Sequence, residues 1–143
     1  DYKGVDKQTD TYFQCDNGRL KLRQGNIENS LIFYNRENKA GPKASEIAFS
    51  KVKIDTQIKN VLTKAYGVFI EVKKEREIYF IENVKFHIDT LVELGTFIEI
   101  EAIDDKGAFT KNELEKQCQF YLDLFKIDST DLLTNSYSDM LNI

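Results

Sequence analysis

Thr96-Phe-Ile-Glu-Ile-Glu-Ala102 and the stretch just before it, Val84-Lys-Phe-His-Ile-Asp-Thr-Leu91, carry the most information in this chain. Alternation in the first puts Glu99 and Glu101 on one face and Ile98 and Ile100 on the other. In the second it sets Lys85, His87 and Asp89 against Phe86 and Ile88. Two neighbouring strands are therefore expected, each with a charged face. In a half-buried sheet such a face ordinarily meets water. The same alternation recurs upstream with basic residues, since Arg19, Lys21 and Arg23 oppose Leu20 and Leu22, and Lys74 and Arg76 share a face.

Period two with turn chemistry between the runs predicts strands near residues 11–15, 19–24, 30–36, 43–54, 68–81, 84–91 and 96–102. Asp1 to Asp10 is polar and offers no pattern, and Asp16-Asn17-Gly18 reads as a turn. Leu31 to Arg36 carries Tyr34 and Arg36 on one side, and residues 37–42, with the only proline, turn the chain again. In 43–54 the phase slips, which suggests a bulge. Twice the period changes to 3.6, predicting helices near 56–66 and 110–125. The first has Ile58, Val61, Leu62 and Ala65 at helical spacing, Asp55 or Thr56 to cap it, and Gly67 at its end. The second opens on a Thr110 to Glu113 capping box and carries Leu114, Cys118, Tyr121, Leu122 and Phe125 along one stripe. The tail from Ile127 reads as short helical turns anchored by Leu132, Leu133, Met140 and Leu141, a lid or brace. The expected class is α+β: an antiparallel meander that curls or closes into a barrel or tunnel, with flanking helices and one domain over residues 1–143.

The chain has 143 residues and is 41% hydrophobic, enough to bury a core. A net charge of −4 argues against a general nucleic-acid binder. Cys15 and Cys118 are too far apart for a metal knuckle and read as small apolar residues in a reducing compartment. With no run long enough to span a membrane and no leader pattern, a cytoplasmic protein without membrane partners is expected.

If the apolar faces pack outward, Arg19, Lys21, Arg23, Arg36, Lys74, Arg76 and Lys85 converge inside with Asp89, Glu99 and Glu101. An interior of that kind must hold water or a ligand, because isolated buried charges are costly. Guanidinium forks and ammonium groups suit a polyanion with several phosphates, and carboxylates two apart suit a hard divalent cation such as Mg²⁺ or Mn²⁺. Each feature alone reads more simply as a solvated strand face, and the glutamates as counter-charges to the basic residues. His87 reads as a hydrogen-bonded structural histidine. Their conjunction in one small sheet is what points to a ligand.

Several runs also resemble, in order, the motifs of the CYTH superfamily. They are Asp10-Thr-Tyr-Phe13, Gly18-Arg-Leu-Lys-Leu-Arg23, Leu31-Ile-Phe-Tyr-Asn-Arg36, Gly41-Pro-Lys-Ala-Ser45, Lys74 and Arg76 within Val72 to Ile78, His87-Ile-Asp89, and Leu94-Gly-Thr-Phe-Ile-Glu-Ile-Glu101. The chain is similar to the class IV adenylyl cyclase-like branch, with Ser136-Tyr-Ser-Asp-Met140 resembling that branch's ending. The resemblance implies the triphosphate tunnel fold, eight antiparallel strands around a nucleoside triphosphate or inorganic triphosphate. It implies phosphate binding by Arg19, Lys21, Arg23, Arg36, Lys43 and Lys85, catalytic roles for Lys74, Arg76 and Asp89, and Mg²⁺ or Mn²⁺ on Glu99 and Glu101. The family's opening Glu-x-Glu-x-Lys strand and the helix after it have no counterpart here, so a truncated chain is expected. The implied reaction is ATP to cyclic AMP and pyrophosphate, with triphosphate hydrolysis or non-catalytic polyphosphate binding as alternatives. Oligomeric state stays open.

Overall fold

The computed structural model describes residues 1–36, 40–41, 45–53, 57–133 and 137–141, with the side chains of 36, 45, 138 and 139 outside the description. Its frame is one antiparallel sheet of seven strands: β1 (Tyr2–Phe13), β2 (Arg19–Gln24), β3 (Asn29–Arg36), β4 (Ser45–Lys51), β5 (Val68–Ile81), β6 (Val84–Leu91) and β7 (Gly95–Ala102), in the spatial order β4-β3-β2-β1-β5-β6-β7. The sheet curls so far that one face becomes an interior. Helices α1 (Ile58–Tyr66), α2 (Lys111–Leu124) and α3 (Tyr137–Leu141) complete the fold, with a 3₁₀ turn at Ser129–Asp131. No helix among the described residues is long and apolar enough to cross a membrane.

The largest departure from the sequence reading is β1. A strand at 11–15 is expected and nothing before it, yet the strand runs from Tyr2 to Phe13 and pairs with both β2 and β5. It escapes pattern reading because its inward face is polar: Asp6, Gln8 and Asp10 alternate with Val5, Lys7 and Thr9, leaving no apolar period to detect. What holds it is a ladder of backbone hydrogen bonds on both edges, which no local propensity records. The bulges also lie elsewhere than expected. The β3–β4 register runs unbroken from Ser30↔Lys51 to Arg36↔Ser45, whereas β1–β5 is interrupted at Tyr2/Gly4 and Tyr12/Phe13.

The turn at Gly18 is steric necessity, since its φ is 70° and an added Cβ would sit 2.7 Å from the Tyr34 carbonyl oxygen. Helix α1 starts at Ile58 with Gln57 at its N-cap and no side-chain capping bond; Asp55 and Thr56 lie outside the described residues. Its stripe is only partly used, because Val61 is 61% exposed. The α2 capping box is present, with the Glu113 N–H donating to Thr110 Oγ1 and the Thr110 N–H donating to Glu113 Oε1. Helix α2 packs on the convex side, where Phe86 meets the rings of Tyr121 and Phe125. The expected brace is real but sits inside the curl. There Tyr12, Val72 and Leu91 form an apolar cluster with Phe97, Tyr137 and Leu141, closing one end of the concave face.

Candidate functional site

Register fixes which side chains share the interior. Asp10 on β1 lies opposite Arg23 of β2, Gln8 opposite Lys74 of β5, and Asp6 opposite Arg76, which in turn faces Asp89 of β6; His87 then faces Glu99 of β7, and Lys85 faces Glu101. Because alternate residues of a strand point the same way, these rows make one continuous charged surface. Arg23, Lys74, Arg76, Lys85, His87 and Asp89 are all buried. The basic faces therefore point inward, as the tunnel reading requires.

The centre is a three-to-one arrangement of charge. Asp10 Oδ2 takes Arg23 Nη2 at 2.9 Å and Lys74 Nζ at 2.7 Å, with Lys21 Nζ at 3.6 Å, while Arg23 Nε donates to Asp10 Oδ1 at 2.9 Å. Burial would raise the Asp10 carboxyl, but the charges of Arg23, Lys74 and Lys21 outweigh it and hold the group well below the usual carboxylate range. Lys21 has the poorer share. Burial first, then the Arg23 charge, push its ammonium down to about 7 against the pull of Asp10. Its Nζ also lies 5.5 Å and 5.1 Å from the ring centroids of Tyr12 and Tyr34.

A second cluster lies toward β7. Arg76 makes a two-point fork on Asp89, at 2.7 and 2.8 Å, and the Tyr137 hydroxyl of α3 donates to Asp89 Oδ2 at 3.0 Å. Burial raises the Tyr137 hydroxyl, and the charge of Asp89 raises it further. Arg76 Nη2 and His87 Nδ1 are each 3.8 Å from Glu99 Oε2. His87 is not the hydrogen-bonded residue expected, since neither ring nitrogen has a partner among the described residues. Burial, then the charge of Arg76, lower its pKa to about 4, so the imidazole is neutral. Glu101 is raised above the usual range by burial and by Glu99 beside it.

A third group roofs the concave face. Glu28, in the β2–β3 loop, receives Lys85 Nζ and Gln8 Nε2 and lies 3.6 Å from Arg23 Nη1. Burial opposes its ionisation, but the charge of Lys85 and its hydrogen bond, with Arg23, bring Glu28 down to about 2. The loop is shaped by Asp6, fully buried, which accepts the N–H groups of Ile27 and Glu28 and the amide of Gln8. Gly25 lets this happen, because an added Cβ would stand 2.5 Å from Asp6 Oδ1.

Of the residues singled out from sequence, Lys21, Arg23, Lys74, Arg76, Lys85, Asp89, Glu99 and Glu101 come together on the interior face. Arg19 stands at its rim, half-buried, with Nη1 3.4 Å from the Gly18 carbonyl oxygen. Arg36 lies on β3, its side chain outside the description, and Lys43 lies outside the described residues. Sequence reasoning gave no role to Asp6, Gln8, Asp10, Glu28 or Tyr137. Asp10 could have been found from its DTYF context, but Glu28 sits in a loop with no pattern. Cys15 is exposed and its Sγ donates to the Asn17 carbonyl, so it does not pack as an apolar residue; Cys118 is half-buried.

This geometry coincides with a family match: the CYTH domain model covers residues 3–137. The chain belongs to the CYTH domain family. None of the curated proteins matches it in sequence. Among solved structures, the PH1012 protein of Pyrococcus horikoshii OT3 is 20% identical with a TM-score of 0.79, over 96% of this chain and 84% of that one. A conserved hypothetical protein of Pyrococcus furiosus is 18% identical, TM-score 0.79, over 97% and 85%. A Vibrio parahaemolyticus protein provisionally titled an adenylate cyclase is 20% identical, TM-score 0.75, over 98% and 82%. At these identities the likeness is one of fold, and the curled antiparallel sheet with its helices is that of the CYTH tunnel.

Proposed function

We propose that this CYTH protein is a metal-dependent enzyme acting on a nucleoside triphosphate, cyclising ATP to cyclic AMP and pyrophosphate. The observation that carries the reading is the convergence of cations on one carboxylate at the centre. Arg23, Lys74 and the half-buried Lys21 converge on one carboxylate, Asp10, and burial, then the Arg23 charge, push the Lys21 ammonium down to about 7. A chain of phosphates would offer these cations further charged acceptors, with oxygens for Lys21, Arg23, Lys74 and Arg76 to bind in a row. On the same face the register continues from Arg19 and Lys21 to Tyr34 and Ile32 and on to Ile47 and Phe49, the last two 50% and 61% exposed. An apolar surface beside a phosphate cradle suits a nucleobase, which favours ATP over inorganic triphosphate.

In this reading Arg23 and Lys74 hold the β- and γ-phosphates, with Arg19 and Lys85 at either end. The ribose 3′ oxygen attacks the α-phosphorus, the bond to the β-phosphate oxygen breaks, and pyrophosphate leaves with the 3′ proton passing to solvent. Arg76 stabilises the charge that builds on the leaving group, and Asp89 acts through Arg76 by fixing its guanidinium. The Glu99 and Glu101 pair fits a divalent cation, because the two carboxylates share one face of β7 and burial, with the Glu99 charge beside it, raises Glu101 above its usual range, a cost that a bound cation would relieve. Such an ion, Mg²⁺ or Mn²⁺, would neutralise phosphate charge when bound.

Incubation with ATP and either metal, followed by chromatographic separation of products, tests the proposal. Cyclic AMP with pyrophosphate supports it; ADP with phosphate would replace cyclisation by hydrolysis, and unchanged ATP would leave a binding module. In a separate thermal-shift experiment, Glu99→Gln or Glu101→Gln is expected to remove the metal-induced rise in melting temperature. A rise intact in both variants would discard the glutamates as ligands.

A further inference from the structure

His87 is the only histidine in the chain and is 2% exposed, yet neither Nδ1 nor Nε2 meets a hydrogen-bond partner among the described residues. Buried polar atoms are normally satisfied, so an imidazole with both nitrogens idle calls for an explanation. Its surroundings supply one. Asp89 follows two residues along β6 on the same face, Glu99 stands directly across on β7, and one ligand atom from each of the three lies within 4.8 Å of the others.

We propose that His87, Asp89 and Glu99 form a site for a first-row transition-metal ion, with the imidazole selecting Mn²⁺, Co²⁺ or Zn²⁺ over Mg²⁺. One neutral nitrogen and two carboxylates are the donor set such ions accept, whereas Mg²⁺ takes oxygen and gives up water reluctantly. Asp89 remains able to serve. Asp89 Oδ2 accepts from both Arg76 Nη2 and the Tyr137 hydroxyl, but Oδ1 accepts only from Arg76 Nε and keeps a lone pair for a metal, and the fork holds the carboxylate in place as supporting groups around metal ligands do. Arg76 also sets a limit, because its positive charge 3.8 Å from Glu99 weakens binding of a bare cation. A bound polyanion offsets that charge, so affinity is expected to rise when triphosphate is present. Only this last expectation rests on the triphosphate reading; metal binding itself does not.

The single histidine makes the test direct. Protein made without a polyhistidine tag and stripped with chelator is titrated with Zn²⁺ while its imidazole nitrogens are followed by long-range proton–nitrogen NMR. One ring nitrogen of His87 is expected to shift on addition of one equivalent of Zn²⁺, and Mg²⁺ in tenfold excess should neither cause the shift nor reverse it. Neither nitrogen moving at saturating Zn²⁺ would overturn the site, as would an equal response to Mg²⁺. In parallel, His87→Gln should weaken Mn²⁺ binding, read by electron paramagnetic resonance, at least tenfold. Metal-free tripolyphosphate affinity, measured by calorimetry, should change less than twofold. Unaltered Mn²⁺ binding in that variant would also defeat the proposal, while loss of tripolyphosphate binding in the wild type would defeat the triphosphate reading alone.

Discussion

At the scale of single residues the molecule is governed by Asp10. Its carboxylate is fully buried and forms the common partner of Arg23, Lys74 and Lys21. Removing one partner from a buried ionic cluster costs about 3–5 kcal/mol, because the remaining charges stay desolvated without compensation. Asp10→Asn is therefore expected to lower the melting temperature sharply, and added tripolyphosphate should restore more of it in the variant than in the wild type, as differential scanning fluorimetry would record. Lys21 supports a second test. With its pKa near 7, most of the ammonium is deprotonated at pH 8, and an arriving anion favours the charged form. Triphosphate binding at pH 8 should take up a proton. Calorimetry in buffers of different ionisation enthalpy measures that uptake, which should vanish in Lys21→Met.

At the scale of elements the β2–β3 loop is the informative part. It exists in its present shape because Asp6 collects its N–H groups and Gly25 leaves room for the Asp6 carboxylate. Gly25→Ala forces overlap with a buried charged group, and overpacking of this kind costs about 1–3 kcal/mol, measurable by urea denaturation. The loop carries Glu28 across the interior to Lys85 on β6. The pKa of Glu28 is lower folded than unfolded, so its contribution is complete above the ordinary glutamate range and is lost as pH falls toward 2. The stability gap between wild type and Glu28→Gln should accordingly narrow as pH drops from about 5 to 2. A gap constant with pH would mean that Glu28 serves as a neutral hydrogen-bond acceptor.

At the scale of the whole molecule, the curl of the sheet turns what would be ordinary surface charge into a buried charged interior. A charge-assisted hydrogen bond in such a place is worth about 1.5–3 kcal/mol, so Arg23→Ala, Lys74→Ala or Arg76→Ala should weaken triphosphate binding roughly ten- to 150-fold. Lys59 and Lys64 lie on α1, Lys59 paired with Glu71 at 3.1 Å and Lys64 exposed, and their replacement should change affinity less than twofold. Equal effects at all five positions in a calorimetric titration would reduce the interior to non-specific electrostatics.

Period two at Arg19 to Arg23 and at Glu99 to Glu101, and period 3.6 from Lys111, were legible in the sequence because strands and helices repeat their environments at fixed spacing. So were the faces on which Lys74, Arg76 and Asp89 would lie. Local pattern could not show that Asp1 to Asp10 conceals most of the central strand, since a strand held by two neighbours needs no apolar face of its own. Nor could it show that Glu28, 57 residues from Lys85, would close the roof, or that Tyr137 would reach back to Asp89. Those contacts exist only once the curvature of the sheet has brought distant segments together. The sequence set which side chains alternate, and the curl set which of them meet and which, like His87, are buried with no hydrogen-bond partner among the described residues.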